Sequence, residues 1–136
     1  MKSKWAIAAT VVIAIGVIVA IALMMNRDSQ PAQYSIEDGQ LIISCSFGVS
    51  VPVDEIGELT LTETAPEIET KTNGSGLGSM QKGEYRLVGG DNARLYIDTS
   101  IPLFVRFMHD NTVYYLNAET QEATQSLYDQ IKAALD

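Results

Sequence analysis

From Ala6 to Met25 the chain reads AIAATVVIAIGVIVAIALMM, twenty residues without a charge. At about 1.5 Å per residue a helix of this length crosses the roughly 30 Å hydrocarbon core of a bilayer. A cleaved signal peptide is the rival reading, with Lys2 and Lys4 as its basic start and Ala20-Ile21-Ala22 as its cleavage site. The apolar run outlasts a signal core of about 7–15 residues and continues through Leu23, Met24 and Met25, which favours an uncleaved anchor. Residues 1–5 are therefore expected in the cytoplasm, 6–25 as a transmembrane helix, 26–33 as a polar linker and 34–136 as a separate domain. Lys2, Lys4 and the α-amino group precede the span and only Arg27 follows it closely, so the domain is expected outside the cytoplasm in a single-pass protein of the cell membrane. Trp5 fits an aromatic anchor at the cytoplasmic boundary.

Beyond the linker NRDSQPAQ the period shortens to that of strands. Tyr34-Ser35-Ile36 and Leu41 to Ser46 flank Glu37-Asp38-Gly39-Gln40, whose Asp-Gly pair is a strong hairpin signal. Val49-Ser50-Val51 alternates and stops at Pro52, and Glu58-Leu59-Thr60-Leu61-Thr62-Glu63 alternates with leucines on one face. Ile68 to Lys71 resumes the pattern after Pro66. Tyr85 to Val88 and Ala93 to Ile97 are joined by Gly89-Gly90-Asp91-Asn92, and Leu103 to Met108 and Thr112 to Leu116 by Asp110-Asn111, so both pairs predict hairpins. The last segment changes period: Asn117 is expected to cap a helix that lines up Ala123, Leu127, Ile131 and Ala134, joined by Tyr128 and Leu135. The expected domain is mainly β, about seven strands in a sandwich or barrel capped by a C-terminal α-helix.

Charge narrows the partners. The segment Asn26–Asp136 holds seven Lys or Arg against seventeen carboxylates, a formal charge of −10. Such a surface repels phosphates, which argues against nucleic acid and against strong binding to an acidic membrane. The single cysteine, Cys45, excludes an intrachain disulfide and lies in the apolar run LIISCSF, where a buried strand position is expected.

TNGSGLGSMQKGEYRL, Thr72 to Leu87, holds four of the ten glycines. A phosphate loop needs Gly-x-x-x-x-Gly-Lys between a strand and a helix, but here no glycine precedes a lysine and strand signals follow. The stretch is read as a backbone-shaped connector between two groups of strands, with several positions needing positive φ or close backbone approach. If it touches a partner, the contact loop is Asn73, Gly74, Gly76 and Gly78, with Lys82 or Arg86 as its cations. His109 is the only histidine, no Gly-x-Ser-x-Gly elbow is present, and Asp54, Glu55, Glu58, Glu63, Glu67 and Glu69 lack the spacing of a calcium loop. No catalytic, cofactor or metal residue is assigned on these grounds, and the chain is read as a non-enzyme without a cofactor.

Val49 to Ile56, then Thr72-Asn73-Gly74-Ser75-Gly76-Leu77-Gly78, then Gly83-Glu84-Tyr85-Arg86-Leu87 and the Leu127-Tyr128 helix together resemble the bacterial pleckstrin-homology family of short membrane-anchored proteins. The resemblance covers residues about 40 to 135. It implies a pleckstrin-homology-like fold and a binding or scaffolding role, and supplies no agreed ligand. Relatives that bind inositol phosphates use a basic cluster on their first strands, whereas Ser29 to Thr70 holds no Lys or Arg.

The expected function is a membrane-anchored interaction or envelope-associated scaffold whose partner is another protein, engaged at an open strand edge. The alternative is a lipid or small-molecule binding domain using the gap between sheets or the Gly74–Gly83 loop.

Overall fold

The computed structural model describes residues 32–45 and 47–136, together with Ile15. Apart from Ile15, the expected transmembrane helix, the cytoplasmic N-terminus and most of the linker lie outside these residues, and among the described residues no helix is long and apolar enough to cross a membrane. The domain itself is mainly β: nine strands in two sheets and one C-terminal helix among the described residues. Two strands more than the expected seven are present.

The smaller sheet is a meander of β1 (Gln33–Glu37), β2 (Gln40–Ser44) and β3 (Ser50–Pro52). β1 starts one residue inside the stretch expected as linker, and Ala32 before it is buried. Asp38 and Gly39 close the β1–β2 hairpin with φ of 52° and 74°, the two positive values of a type I′ turn. A 3₁₀ turn, Val53–Glu55, leads into the second sheet and is held by a hydrogen bond from Val53 N–H to Gly39 O at 2.9 Å.

The larger sheet contains β4 (Gly57–Thr62), β5 (Ile68–Leu77), β6 (Met80–Leu87), β7 (Asn92–Asp98), β8 (Phe104–His109) and β9 (Thr112–Leu116), in the spatial order β4-β8-β9-β7-β6-β5. The β8–β9 and β6–β7 hairpins form as the turn residues predict. β9 then inserts between β8 and β7 and runs parallel to β7, with Ala93 opposite Val113 and Tyr96 opposite Leu116. The central strands are consequently buried on both faces. Leu95, Ile97, Phe104 and Val113 form an apolar cluster on one, while Tyr96, Val105, Phe107 and Leu116 face the other.

That second face is covered by the small sheet, through Leu41, Ile43 and Val51, and by α1 (Gln121–Leu135), through Leu127 and Ile131. Helix α1 packs against β8, β4 and the 3₁₀ turn. Of the helical face expected from the sequence, Leu127 and Ile131 are buried and Tyr128 is half-buried, but Ala123, Ala134 and Leu135 are exposed. Thr124, a polar residue, takes a buried place on that face by satisfying its hydroxyl locally: it donates to Thr120 O at 2.8 Å and accepts from Ala118 N–H at 2.9 Å.

The helix cap is Thr120, whose side-chain oxygen accepts from Ala123 N–H at 3.0 Å, and not Asn117 as expected. Asn117 lies three residues too early because it is used elsewhere. Its side chain is buried, accepting from Asp98 N–H at 2.8 Å and donating to the carbonyls of Asp98 and Ile101 at 2.8 and 3.1 Å. Asn117 thereby fastens the loop after β7 to the end of β9.

Candidate functional site

The glycine-rich stretch departs most from expectation. It is a long β-hairpin, β5 and β6 joined by Gly78-Ser79, and not a connector between groups of strands. Asn73, Gly74 and Gly76 lie in β5, Gly78 opens the turn at φ 61°, and Lys82 and Arg86 lie in β6. A glycine at the first loop position with positive φ is what a two-residue type II′ turn requires.

Gly74 and Gly83 face each other across the hairpin, and here the expected close backbone approach is found. A Cβ on Gly74 would stand 2.3 Å from Lys82 O, and one on Gly83 would stand 2.4 Å from Asn73 O and 2.5 Å from Gly74 Cα, with Gly83 itself at φ 126°. Neither position has room for any side chain.

Of the two cations expected to serve this stretch, Lys82 is 2% exposed and directly opposite Tyr96 on β7, so its ammonium is not offered to a partner. Arg86 is exposed on the same strand, nearer the start of β5. The cation that stands over this part of the sheet is Arg94, which sequence reading did not single out. Its guanidinium donates to Glu84 Oε1 at 2.7 Å in a half-exposed ion pair beside a groove of about 300 Å³ lined by Thr72, Tyr85, Asn92 and Thr112.

β5 and β4 are the two edge strands of the larger sheet, and among the described residues no strand lies beyond β5. Residues 67–73 are all exposed. Its pairing with β6 slips twice, between Ile68 and Thr70 and between Lys71 and Asn73, so that Glu69 and Thr72 are extra residues in β5. Ile68 and the 59% exposed Val88 leave a small apolar tip at the start of the hairpin, joined by a hydrogen bond from Val88 N–H to Glu67 O at 2.8 Å.

At the other end of the hairpin a polar chain runs across the molecule. Ser79 Oγ donates to Asp98 Oδ1 at 2.6 Å, which also accepts from Ser100 N–H and Oγ at 2.9 and 2.6 Å. Partial burial works against charge on this carboxyl, but the hydrogen bonds from Ser100 and Ser79 outweigh it and hold the group below the usual carboxylate range. Asp98 is bonded to Asn117, and the Tyr34 hydroxyl lies 2.9 Å from Asn117 O and 3.0 Å from Tyr96 O, within donating reach of both. Burial, with Cys45 and Tyr96 close by, pushes the Tyr34 hydroxyl far up from its ordinary value, and burial pushes Tyr96 up to about 12 against the pull of Arg94. Tyr96 donates its own proton to Phe47 O at 2.7 Å. These protonated tyrosines tie the small sheet to the large one.

His109 sits at the end of β8 with Nε2 3.5 Å from Glu55 Oε1 and its ring edge-on to Tyr114, centroids 6.2 Å apart. No hydroxyl or thiol is bonded to it in a nucleophile arrangement among the described residues. Among those residues no group of three or more His, Cys, Asp or Glu could hold a metal ion. Cys45 lies just past the end of β2 and is half-buried beside the small sheet's core, not at the buried strand position expected. The space between the two sheets is filled by side chains such as Leu41, Val51, Phe107 and Leu116, each 0% exposed.

No family model matches the chain, and comparison with curated proteins and with solved structures finds no similar one.

Proposed function

We propose that the chain is a single-pass membrane-anchored, non-enzymatic module of the pleckstrin-homology-like kind, which holds its domain outside the cytoplasm and binds another protein along the edge strand β5. The observation that carries the reading is that edge: ten residues of extended backbone at the margin of a six-stranded sheet, carrying outward main-chain donors and acceptors. Strand addition needs only such an edge and a firm support. Support comes from a sheet whose central strands are buried on both faces.

A filled inter-sheet space and a glycine stretch consumed by a hairpin favour this reading over a lipid or small-molecule site. Full-length protein isolated from its own membrane is expected to bring down a partner. Combining Asn73→Lys with Ser75→Lys, which places guarding charges on the edge, should abolish the association, whereas Gln125→Lys on the exposed side of α1 should leave it intact. Equal recovery with both variants would refute docking at β5. Protease added to intact cells should digest the domain, and protection until lysis would reverse the topology.

A further inference from the structure

A free strand edge invites unwanted pairing unless bulges or charges guard it. β5 is guarded over only half its length. From 67 to 72 the chain carries both bulges and the exposed charges Glu67, Glu69 and Lys71. From Asn73 to Leu77 the sequence is NGSGL, without a charge, and the register runs unbroken from Asn73 opposite Glu84 to Leu77 opposite Met80.

The two halves lie toward opposite ends of the sheet. The regular half runs into the Gly78-Ser79 turn, and the polar chain from Ser79 through Asp98 and Asn117 ends at Tyr34, two residues after Ala32. The unguarded half is therefore at the end where the N-terminal segment joins the domain. If residues 6–25 anchor the chain, that end is the one nearest the bilayer.

We infer that residues 73–77 are the docking edge, and that its occupant is an extended, net-cationic segment of a second protein held in the same membrane. This rests on the anchored-module reading above. Charge selects the occupant: a formal −10 on Asn26–Asp136 repels a second copy and attracts a basic chain. Beside the docking edge Glu67 and Glu69 are met by the exposed Lys71 and Arg86, so the attracting field is that of the domain as a whole, in which Ser29 to Thr70 holds no Lys or Arg. Location selects it as well, because an edge close to the bilayer is reached most readily by the juxtamembrane stretch of a co-anchored protein, whose effective concentration there is high.

Photo-crosslinking of the full-length protein in the membranes of the cells that make it tests the assignment. A benzophenone side chain placed at Asn73 or Ser75 should capture a partner, and sequencing of the crosslinked peptide should return a net-positive segment of a membrane-anchored protein. The same group at Glu69 or Lys71 should capture about tenfold less. Capture at Asn73 should also fall severalfold when salt is raised from roughly 50 to 500 mM, as expected for screened attraction. Adducts with this chain itself, equal capture from both halves, a captured segment that is acidic or not anchored, or a salt-independent yield would each overturn the inference while leaving a docking edge in place. Absence of capture from all four positions would overturn both it and the reading on which it rests.

Discussion

Gly74 and Gly83 face each other across β5 and β6, and the contact tolerates no methyl group on either side. Gly83→Ala combines a clash with backbone oxygen and a positive φ, so it is expected to destabilise the domain by about 2–4 kcal/mol, read as a lowered denaturant midpoint. Gly78→Ala meets nothing within 4 Å and suffers only its φ of 61°, so its cost should be about 1 kcal/mol. Asn117→Ala strips the partners from Asp98 N–H and from the Asp98 and Ile101 carbonyls. A loss of about 2–3 kcal/mol is expected, visible as a thermal midpoint lower by roughly 10–20 °C. The buried tyrosines set the alkaline limit. Unfolded tyrosine titrates at about 10, whereas burial raises Tyr34 well above that and Tyr96 to about 12. Their contribution to stability is thus complete below about pH 10 and is lost as pH rises, that of Tyr96 by about pH 12 and that of Tyr34 at higher pH still. Phenolate absorbance should show fewer than the full six tyrosines titrating before a cooperative unfolding step.

Elements were legible where their ends carry turn chemistry. Asp38-Gly39 and Asp110-Asn111 both sit at positive φ in two-residue hairpin loops, as the sequence predicts. Asn111→Gly should stabilise the second of them by about 0.5 kcal/mol, since glycine accepts φ 59° without a Cβ penalty; a lower denaturant midpoint would refute the I′ assignment. β5 was legible only at its start, Ile68 to Lys71, and the reason the rest was not is physical. Its exposed residues have no alternation to reveal, its glycines resemble a loop, and its two bulges break the period that remains. The N-terminus of α1 was misplaced for a related reason: Asn117 and Thr120 are both good caps, and only the burial of Asn117 decides between them. Thr120→Ala should cost about 1 kcal/mol, while the buried Thr124 remains bonded to the Thr120 carbonyl.

For the whole molecule, alternation assigns each strand a buried face but says nothing about its neighbours. Leu59 and Leu61 mark the inner face of β4 without disclosing that its partner is β8. The candidate site was legible only in outline. Sequence reading pointed to the stretch from Asn73 to Arg86, but the edge position of β5, the burial of Lys82 and the Arg94–Glu84 pair arise from sheet order, which depends on contacts distant in the chain.

The insertion of β9 between β7 and β8 also has a consequence in time. β4 cannot pair until β8 exists, and β5, β6 and β7 are all made in between. The β8–β9 hairpin must then dock as a unit, with β9 entering parallel beside a β7 that is already paired with β6. Local hairpins can zip within microseconds, but closure of the six-stranded sheet waits on this late docking, so refolding should be limited by it and fall in the millisecond-to-second range. As the chain is made from its N-terminus, β4 stands unpaired until nearly the whole domain has been synthesised.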